Sequence, residues 1–336
     1  MRHYIYRLAL LGFTLSGLAL TSIAPAGAQT ANQTANPAWP DKPVRLIVSQ
    51  AAGGTPDIIC RILTDRLSQA LGQQFVVENR PGAANIIGAQ TAAHAAGDGY
   101  TFFFATAAAL VSNPYTFKTL PYDPANDFVP VAMVAKNPFF MLAHPSVKAT
   151  TLTELIALEK ADPGKLTYAT DGPRNFSGIL ASWINKLAGI NVLQVPYATM
   201  PQGIQDAIAG RVQLVILAPA SAAPFIARGD LRPLAVSSAK RVPGYDKVPS
   251  IAETLPGIEL TGWFAIVAPK GTPPDVIQKL NGALDRILKD PEIAQKLAGL
   301  GFYTEGADTP EGTGRYIRAQ LETWGKVTRD IGMQPE

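Results

Sequence analysis

The chain has 336 residues, of which 47% are hydrophobic, and a formal net charge of +3. This length exceeds what one hydrophobic core usually serves, so two domains are expected. The near balance of 29 basic and 26 acidic residues argues against a nucleic-acid-binding protein. Cys60 is the single cysteine, which excludes an internal disulfide and a cysteine-based zinc site.

The first 28 residues have the pattern of an export signal. Arg2 and Arg7 give a basic start before an apolar run, Leu8 to Leu20, and Ala26-Gly27-Ala28 forms a small-residue cleavage site. This run is shorter than the about 20 residues that a membrane span needs. We therefore predict cleavage near Gln29 and an exported mature protein with a formal charge of +1, since the signal removes two arginines and no acid.

A strand, a glycine turn and a helix start follow each other between Val44 and Arg61. The strand Val44–Val48 leads into Ala51-Ala52-Gly53-Gly54-Thr55-Pro56-Asp57. Glycines let a ligand approach the backbone, Thr55 or Asp57 can cap the helix, and free N–H groups would face the loop. Neither Gly-Lys-Ser/Thr nor Gly-x-Gly-x-x-Gly is present, so we predict a carboxylate site and not a nucleotide site.

Strand and helix candidates then alternate, which is typical of an α/β fold. The predicted strands are Val44–Ser49, Phe75–Glu78, Tyr100–Ala105, Val129–Ala135, Phe139–Ala143, Leu166–Ala169, Val212–Leu217, Leu234–Ser237 and Phe264–Pro269. The predicted helices are Pro56–Gly72, Ile86–Ala96, Thr153–Ala161, Ser177–Ala188, Pro201–Ala209, one from Pro273–Pro274 to before Pro291, Pro291–Leu300 and one from Pro310 onward. The Phe102-Phe103-Phe104 run is interpreted as a buried strand.

Two extended segments predict that the chain passes twice between two lobes. Phe128 to Ala143 is a pair of apolar strands interrupted by Asn137-Pro138, and Thr261 to Ala268 is a second extended run. Such connections form a hinge. We predict lobe 1 from residues 29–135 and 261–336, and lobe 2 from residues 136–260.

A second strand, turn and helix start occurs at residues 166–177. Asp171-Gly172-Pro173-Arg174-Asn175-Phe176-Ser177 follows a strand and precedes a helix, so two helix N-termini would face each other across a cleft. Arg174 is the only basic residue in either loop. It either binds a second carboxylate bidentately or is a solvated loop arginine, and both interpretations remain open.

These segments resemble the Bug-type extracytoplasmic solute receptors of tripartite tricarboxylate transporters over essentially the whole mature chain. The residues that carry the resemblance are Trp39–Arg45, Ala52–Gly54 with Asp57 and Arg61, Val77–Ala83, Asp98–Thr101, Leu120–Pro124 with Asp127-Phe128, Val195–Tyr197, Gly210–Val212, Leu234–Arg241, Lys270–Pro273 and Trp324–Val327.

The resemblance implies a type II, two-lobed "Venus flytrap" periplasmic binding protein that closes on one carboxylated small molecule. It implies a carboxylate held, partly through water, between the loops Ala51–Asp57 and Thr170–Ser177. It also implies a periplasmic monomer that binds no metal or cofactor, delivers its ligand to the integral membrane subunits of a transporter, and is not an enzyme.

Four departures from the family indicate an apolar pocket. Gly82-Ala83-Ala84-Asn85 replaces a glycine pair, Thr106-Ala107-Ala108-Ala109 and Ala218-Pro219-Ala220 are apolar, and Gly178 stands where a histidine is frequent. An aliphatic or aromatic dicarboxylate of the adipate or terephthalate type fits this pattern. The predicted ligand-binding residues are Ala52, Gly53, Gly54, Thr55, Asp57, Ala84, Asn85, Ala107, Ala108, Asp171, Gly172, Arg174, Asn175, Ser177, Tyr197, Ala218 and Pro219.

Several alternatives remain open at this point. Tyr197 either lines the pocket or only packs, and Trp263 is either a pocket wall or a core residue. An exported hydrolase is a competing function, although the sequence has no Gly-x-Ser-x-Gly and no His/Asp/Glu group with metal-ligand spacing. A receptor that senses the ligand for a membrane signalling partner is another.

Overall fold

The computed structural model describes residues 39–197 and 199–335, so the predicted export signal at residues 1–28 lies outside the described residues. The strands are β1 (Val44–Val48), β2 (Phe75–Asn79), β3 (Thr101–Thr106), β4 (Phe128–Asn137), β5 (Phe140–Ala143), β6 (Thr167–Thr170), β7 (Leu193–Pro196), β8 (Leu214–Leu217), β9 (Arg232–Val236) and β10 (Gly262–Pro269). The α-helices are α1 (Thr55–Leu71), α2 (Ile86–Ala93), α3 (Asn113–Thr116), α4 (Leu152–Ala161), α5 (Phe176–Ala188), α6 (Met200–Ile208), α7 (Pro219–Arg228), α8 (Pro274–Leu288), α9 (Pro291–Gly299) and α10 (Pro310–Asp330). None of these helices has both the length and the apolar composition to cross a membrane.

The first sheet has the strand order β2-β1-β3-β10-β4. Strands β2, β1 and β3 are parallel, whereas β10 runs antiparallel to both β3 and β4. Phe102, Phe103 and Phe104 are fully buried, which confirms the prediction for that run. Helix α1 ends as predicted, because Gly72 adopts a left-handed conformation (φ 73°) and donates its N–H to the Ser68 carbonyl at 3.1 Å.

The second sheet has the order β7-β6-β8-β5-β9. Strands β6, β7 and β8 are parallel, and β5 is antiparallel to both β8 and β9. Helix α5 contributes Leu180, Trp183 and Ile184 to the core, all at most 1% exposed. The predicted α/β class is therefore confirmed, with two mixed sheets.

The chain passes from the first sheet to the second between β4 and β5, and it returns between β9 and β10. Asn137 and Pro138 lie at the first passage, and Asn137 pairs in register with Gly262 at the second. The described arrangement therefore has two connections between the sheets. The lobe limits at residues 136 and 260 stay predictions.

Strand β7, helix α7 and helix α3 with the π-helical turn before it were not predicted from the sequence. Strand β7 is a four-residue edge strand that ends in Pro196, and Leu193 is 48% exposed. Its sequence Leu-Gln-Val-Pro has no run of apolar residues that would predict a strand. Helix α7 contains Pro224, which removes a backbone donor and normally argues against a helix. A π-helical turn, Ala108–Ser112, lies between β3 and α3 and runs directly into α3. Its alanines do not show the hydrophobic periodicity that predicts a helix.

Candidate functional site

A cavity of about 510 Å³, here called the main cavity, lies where loops of the first sheet, the start of α5 and the two connections between the sheets meet. It is lined by Gln50, Ala84, Asn85, Thr106, Ala107, Ala108, Ser112, Asn113, Thr116, Phe117, Asn137, Phe139, Arg174, Asn175, Phe176, Ile179, Gly262, Trp263, Phe264, Phe302 and Trp324. Strands β1, β2 and β3 are parallel, so the loops that follow them emerge at one edge of the sheet. That edge is where α/β proteins bind ligands.

The charge of the main cavity favours an anion. Arg174 is its only charged lining residue in the described part of the chain, and no acidic side chain is among the lining residues. The remaining polar groups are neutral amides and hydroxyls, and the walls are alanine and aromatic side chains. A small organic anion with an apolar body suits this lining.

A second cavity of the same volume, about 510 Å³, has a different charge. Three acidic residues, Glu259, Glu305 and Asp308, line it together with three basic ones, Lys136, Lys240 and Arg241. The Lys136 Nζ lies 3.7 Å from Glu259 Oε1 and 4.2 Å from the centre of the Tyr316 ring. Because the carboxylates would repel an anion, the second cavity is a poorer carboxylate site.

The loop before α2 is held in an unusual backbone conformation. Ala83, Ala84 and Asn85 have φ angles of 44°, 51° and 75°, in the region that favours glycine. The Ala84 carbonyl accepts a 2.9 Å hydrogen bond from Asn113 Nδ2, and Asn85 Oδ1 accepts one of 2.9 Å from the Ser49 hydroxyl. These bonds hold Ala84 and Asn85 at the cavity wall despite the cost of left-handed alanine.

The start of α5 is fixed by its own side chains. The Ser177 hydroxyl accepts the Asp171 N–H at 2.9 Å and donates to the Asp171 carboxylate, while Asn175 Nδ2 donates to the Asp171 carbonyl at 2.6 Å. A Cβ on Gly178 would lie 2.1 Å from the Gly172 carbonyl oxygen, so only glycine fits there. Asp171, Gly172 and Ser177 therefore shape this loop without lining the cavity.

Arg174 lines the main cavity, and it also contacts the segment that follows α10. Both of its terminal nitrogens donate to the Gln334 carbonyl at 3.2 Å. A ligand that binds this guanidinium must share it with the Gln334 carbonyl or displace that carbonyl.

The glycine loop after β1 does not line the main cavity, although its neighbour Gln50 does. The expectation that Thr55 or Asp57 caps α1 is wrong. The N-cap is Gly54, which has no side chain to cap the helix, and the Asp57 carboxylate accepts the Gly53 N–H at 2.8 Å instead. That Ala52, Gly53, Gly54, Thr55 and Asp57 contact a ligand stays a prediction.

The buried Asp57 carboxylate is the centre of a small network. It accepts hydrogen bonds from Arg61 Nε and Asn79 Nδ2, each at 3.0 Å. Burial acts to raise the pKa of Asp57, but the hydrogen bonds from Arg61, Gly53 and Asn79 outweigh it and hold that pKa below its ordinary value. Asp57 therefore stays ionised at neutral pH and organises the loop.

Three other predicted residues lie outside the lining. The Tyr197 hydroxyl donates to Asp206 Oδ2 at 2.8 Å, and its ring packs over Gly203. Ala218 and Pro219 form the start of α7. Of the predicted ligand-binding residues, the structure brings Ala84, Asn85, Ala107, Ala108, Arg174 and Asn175 together at the main cavity.

Sequence reasoning missed other lining residues, notably Asn113, Asn137, Phe139 and Trp324. Asn137 had a signal, since it interrupts the two strands at the first connection. Trp324 lies in the helix predicted from Pro310 onward, and the sequence leaves Trp263 open between pocket wall and core. Both are buried, at 4% and 1% exposure, and both also line the main cavity, so burial and lining are not alternatives here.

The family profile described as "Tripartite tricarboxylate transporter family receptor" matches residues 59–333. The chain belongs to this family. Protein BugT of Bordetella pertussis is 32% identical over 317 residues, which are 94% of this chain and 97% of BugT. The resemblance inferred from the sequence motifs is thus confirmed.

Two solved structures of this receptor type are similar to the whole described fold. One is R. palustris Rpa4515 with adipate, at 33% identity and a TM-score of 0.71, covering 89% of this chain and 100% of that one. The other is MatC (Rpa3494) from Rhodopseudomonas palustris with bound malate, at 27% identity and a TM-score of 0.65, covering 86% and 99%. The two-lobed periplasmic binding protein fold is confirmed by these neighbours.

Proposed function

We propose that this protein is a periplasmic receptor that captures a small dicarboxylate in the main cavity and delivers it to the membrane subunits of a tripartite transporter. The observation that carries the proposal is the charge of that cavity, whose only charged lining residue in the described part of the chain is Arg174. Family membership supports the receptor role. The adipate- and malate-bound neighbours support a dicarboxylate.

Arg174 is proposed to pair with one carboxylate of the ligand. Guanidinium groups bind carboxylates bidentately, whereas the Gln334 carbonyl, one of the groups that Arg174 contacts, offers a single acceptor atom. A dianionic ligand therefore gives Arg174 a stronger partner than the backbone does. The apolar walls would cover the body of an aliphatic or aromatic acid.

Closure of the lobes is part of the proposal for an energetic reason. One charge at an exposed helix terminus gains only about 0.3–1 kcal/mol, whereas micromolar binding needs about 8 kcal/mol. Burial of the ligand between the lobes, with charge-assisted hydrogen bonds, supplies the difference.

Calorimetry with adipate and with hexanoate, which lacks the second carboxylate, tests the role of Arg174. The variant Arg174→Ala should weaken adipate binding by about 2–5 kcal/mol, the range for removing one partner of a buried charge pair. It should leave the affinity for hexanoate nearly unchanged. The matched control is Arg228→Ala, because Arg228 is exposed, pairs with Asp230 and lines neither cavity. Equal losses for both acids would mean that Arg174 supports the fold or the other carboxylate.

Chemical turnover is the test between a receptor and an enzyme. After incubation with the purified protein, mass spectrometry should recover adipate unchanged. Consumption of the bound acid would contradict the receptor proposal and favour the hydrolase alternative.

A further inference from the structure

Two stacked phenylalanine rings line the main cavity. Phe139 lies between β4 and β5, and Phe176 is the first residue of α5. Their ring centres are 4.1 Å apart, and the ring planes make an angle of 24°. Both residues line the main cavity and both are only partly buried, so they keep accessible surface. These two residues, here called the phenylalanine pair, are therefore a candidate contact surface for the body of a ligand.

Hydrogen bonds hold the backbone on both sides of the phenylalanine pair. The Phe139 N–H donates to the Ser237 hydroxyl at 3.0 Å, and the Phe139 carbonyl accepts the Ser237 N–H at 2.9 Å. Ser237 itself is fully buried. Phe176 follows Asn175, whose side chain donates to the Asp171 carbonyl at 2.6 Å. A surface that is already fixed loses little freedom when a ligand binds to it.

The loops of the first sheet contribute small side chains to the same cavity. Ala84 precedes α2, and Ala107 and Ala108 follow β3. Methyl groups on one part of the lining and stacked rings on another suit a flat ligand body. An aromatic ring also gains from stacking beyond the apolar area that it buries, whereas an aliphatic chain does not.

We infer that the phenylalanine pair makes this receptor selective for aromatic dicarboxylates, with the ring of the ligand stacked on the pair. This inference rests on the proposed function and deepens it, because it names the substrate class. Arg174 lies two residues before Phe176, so a carboxylate bound at that loop brings the ring of an aromatic acid beside the pair. One carboxylate still lies between the loops at residues 51–57 and 170–177, as the family resemblance implies.

Calorimetry with terephthalate and adipate tests this selectivity. Both ligands are dianions, and the same number of carbon atoms separates their two carboxylates. Terephthalate should bind about two- to tenfold more tightly, the gain expected from one aromatic contact. The trans-cyclohexane analogue of terephthalate has a ring that is not flat, and it is stiffer than adipate. Weaker binding of this analogue than of terephthalate would separate stacking from ligand stiffness.

Leucine replacements identify the rings that are responsible. Phe176→Leu and Phe139→Leu each keep an apolar side chain and remove one ring. Each should reduce the preference for terephthalate over adipate and leave the affinity for adipate nearly unchanged. The matched control is Phe225→Leu, because Phe225 is also partly buried, lies on α7 and lines neither cavity. This control should retain the preference.

Proton NMR of terephthalate gives a readout in the native protein, because the ring protons of this ligand share one resonance. Stacking on a phenyl face should move this resonance upfield when the ligand binds. The shift should be smaller with Phe176→Leu and unchanged with Phe225→Leu.

The outcomes separate this inference from the proposed function. Adipate that binds as tightly as terephthalate, or a preference for terephthalate that survives both Phe139→Leu and Phe176→Leu, would overturn the aromatic selectivity. The receptor function would then stand, with the phenylalanine pair serving only to pack the cavity wall. Failure of adipate, malate and terephthalate to bind at all would overturn the proposed function and this inference together.

Discussion

The side-chain nitrogen of Asn79 lies 3.0 Å from Oδ1 of Asp57. The same nitrogen donates to the Gln50 carbonyl, also at 3.0 Å. Asn79 ends β2, Asp57 lies in the first turn of α1, and Gln50 follows β1 and lines the main cavity. Asp57 thus acts on the cavity through the loop that it fixes.

Asp57→Asn should lower the free energy of unfolding by about 1–3 kcal/mol at pH 7, the cost of a broken buried hydrogen bond. The new amide would place N–H groups against donors from Arg61, Asn79 and Gly53. The folded pKa of Asp57 lies below its ordinary value of 3.8, so the ionised carboxylate stabilises the fold above that pH. This contribution is lost as the pH falls through the folded pKa.

Urea unfolding between pH 7 and pH 3 measures this effect. The difference in the free energy of unfolding between the native protein and Asp57→Asn, here called the stability gap, should be largest at neutral pH and shrink toward pH 3. Asp65→Asn, an exposed change on the same helix, is the control and should produce no comparable gap. A gap that stays constant with pH would show that shape, not charge, is the contribution of Asp57.

Ala84→Gly should leave the protein as stable as the native form or more stable by up to about 1 kcal/mol, because left-handed alanine is strained. Ala84 has φ 51° and lines the main cavity. The control is Ala108→Gly, which lines the same cavity from a helical turn and should destabilise by about 1 kcal/mol. Thermal melts compare the stability of the two variants. A marked loss of stability for Ala84→Gly would mean that packing of the Ala84 methyl group outweighs the strain of its backbone.

Gly178→Ala should destabilise the protein by about 1–3 kcal/mol and weaken adipate binding, because the new Cβ would lie 2.1 Å from the Gly172 carbonyl oxygen. The loop that carries Arg174 and Asn175 must then move. In contrast, a Cβ at Gly282 in α8 meets no atom within 4 Å, so Gly282→Ala should stabilise by about 1 kcal/mol. Unchanged stability and affinity for Gly178→Ala would show that the loop adapts freely.

Adipate should reduce the radius of gyration measured by solution scattering, because the two connections between the sheets can serve as a hinge. Such closure is also expected to bring the glycine loop at residues 51–57 nearer to the ligand. The control is Arg174→Ala at an adipate concentration that saturates only the native protein. A profile unchanged at saturation would indicate a rigid receptor.

The sequence predicted local structure well and the cavity lining less well, for a physical reason. Helix α1 was predictable because Pro56 and Gly72 mark its ends, and both act within a few residues. Trp324 lines the cavity only because α10 packs across β4, near the point where the sheets meet. No local sequence pattern shows that α10 packs there, so the lining role of Trp324 could be found only from the folded structure.

The α1 cap shows a second limit of local reasoning. Asp57 occupies a position where a cap or first-turn acid is expected, and the pattern alone does not distinguish its partners. Asn79, 22 residues later in the chain, competes for the carboxylate and joins it to the neighbouring loop. Arg174 is similar, since its contact with Gln334 spans 160 residues.

The placement of β10 between β3 and β4 constrains how the polypeptide reaches its native state. Its pairing partners lie more than 120 residues earlier, whereas β5 to β9 occupy one continuous stretch. The second sheet can form as soon as that stretch is available, but the first must wait for the chain through Pro269. Until then β3 and β4 expose unpaired edges, which are templates for aggregation. A chain halted before Gly262 would therefore depend on a chaperone.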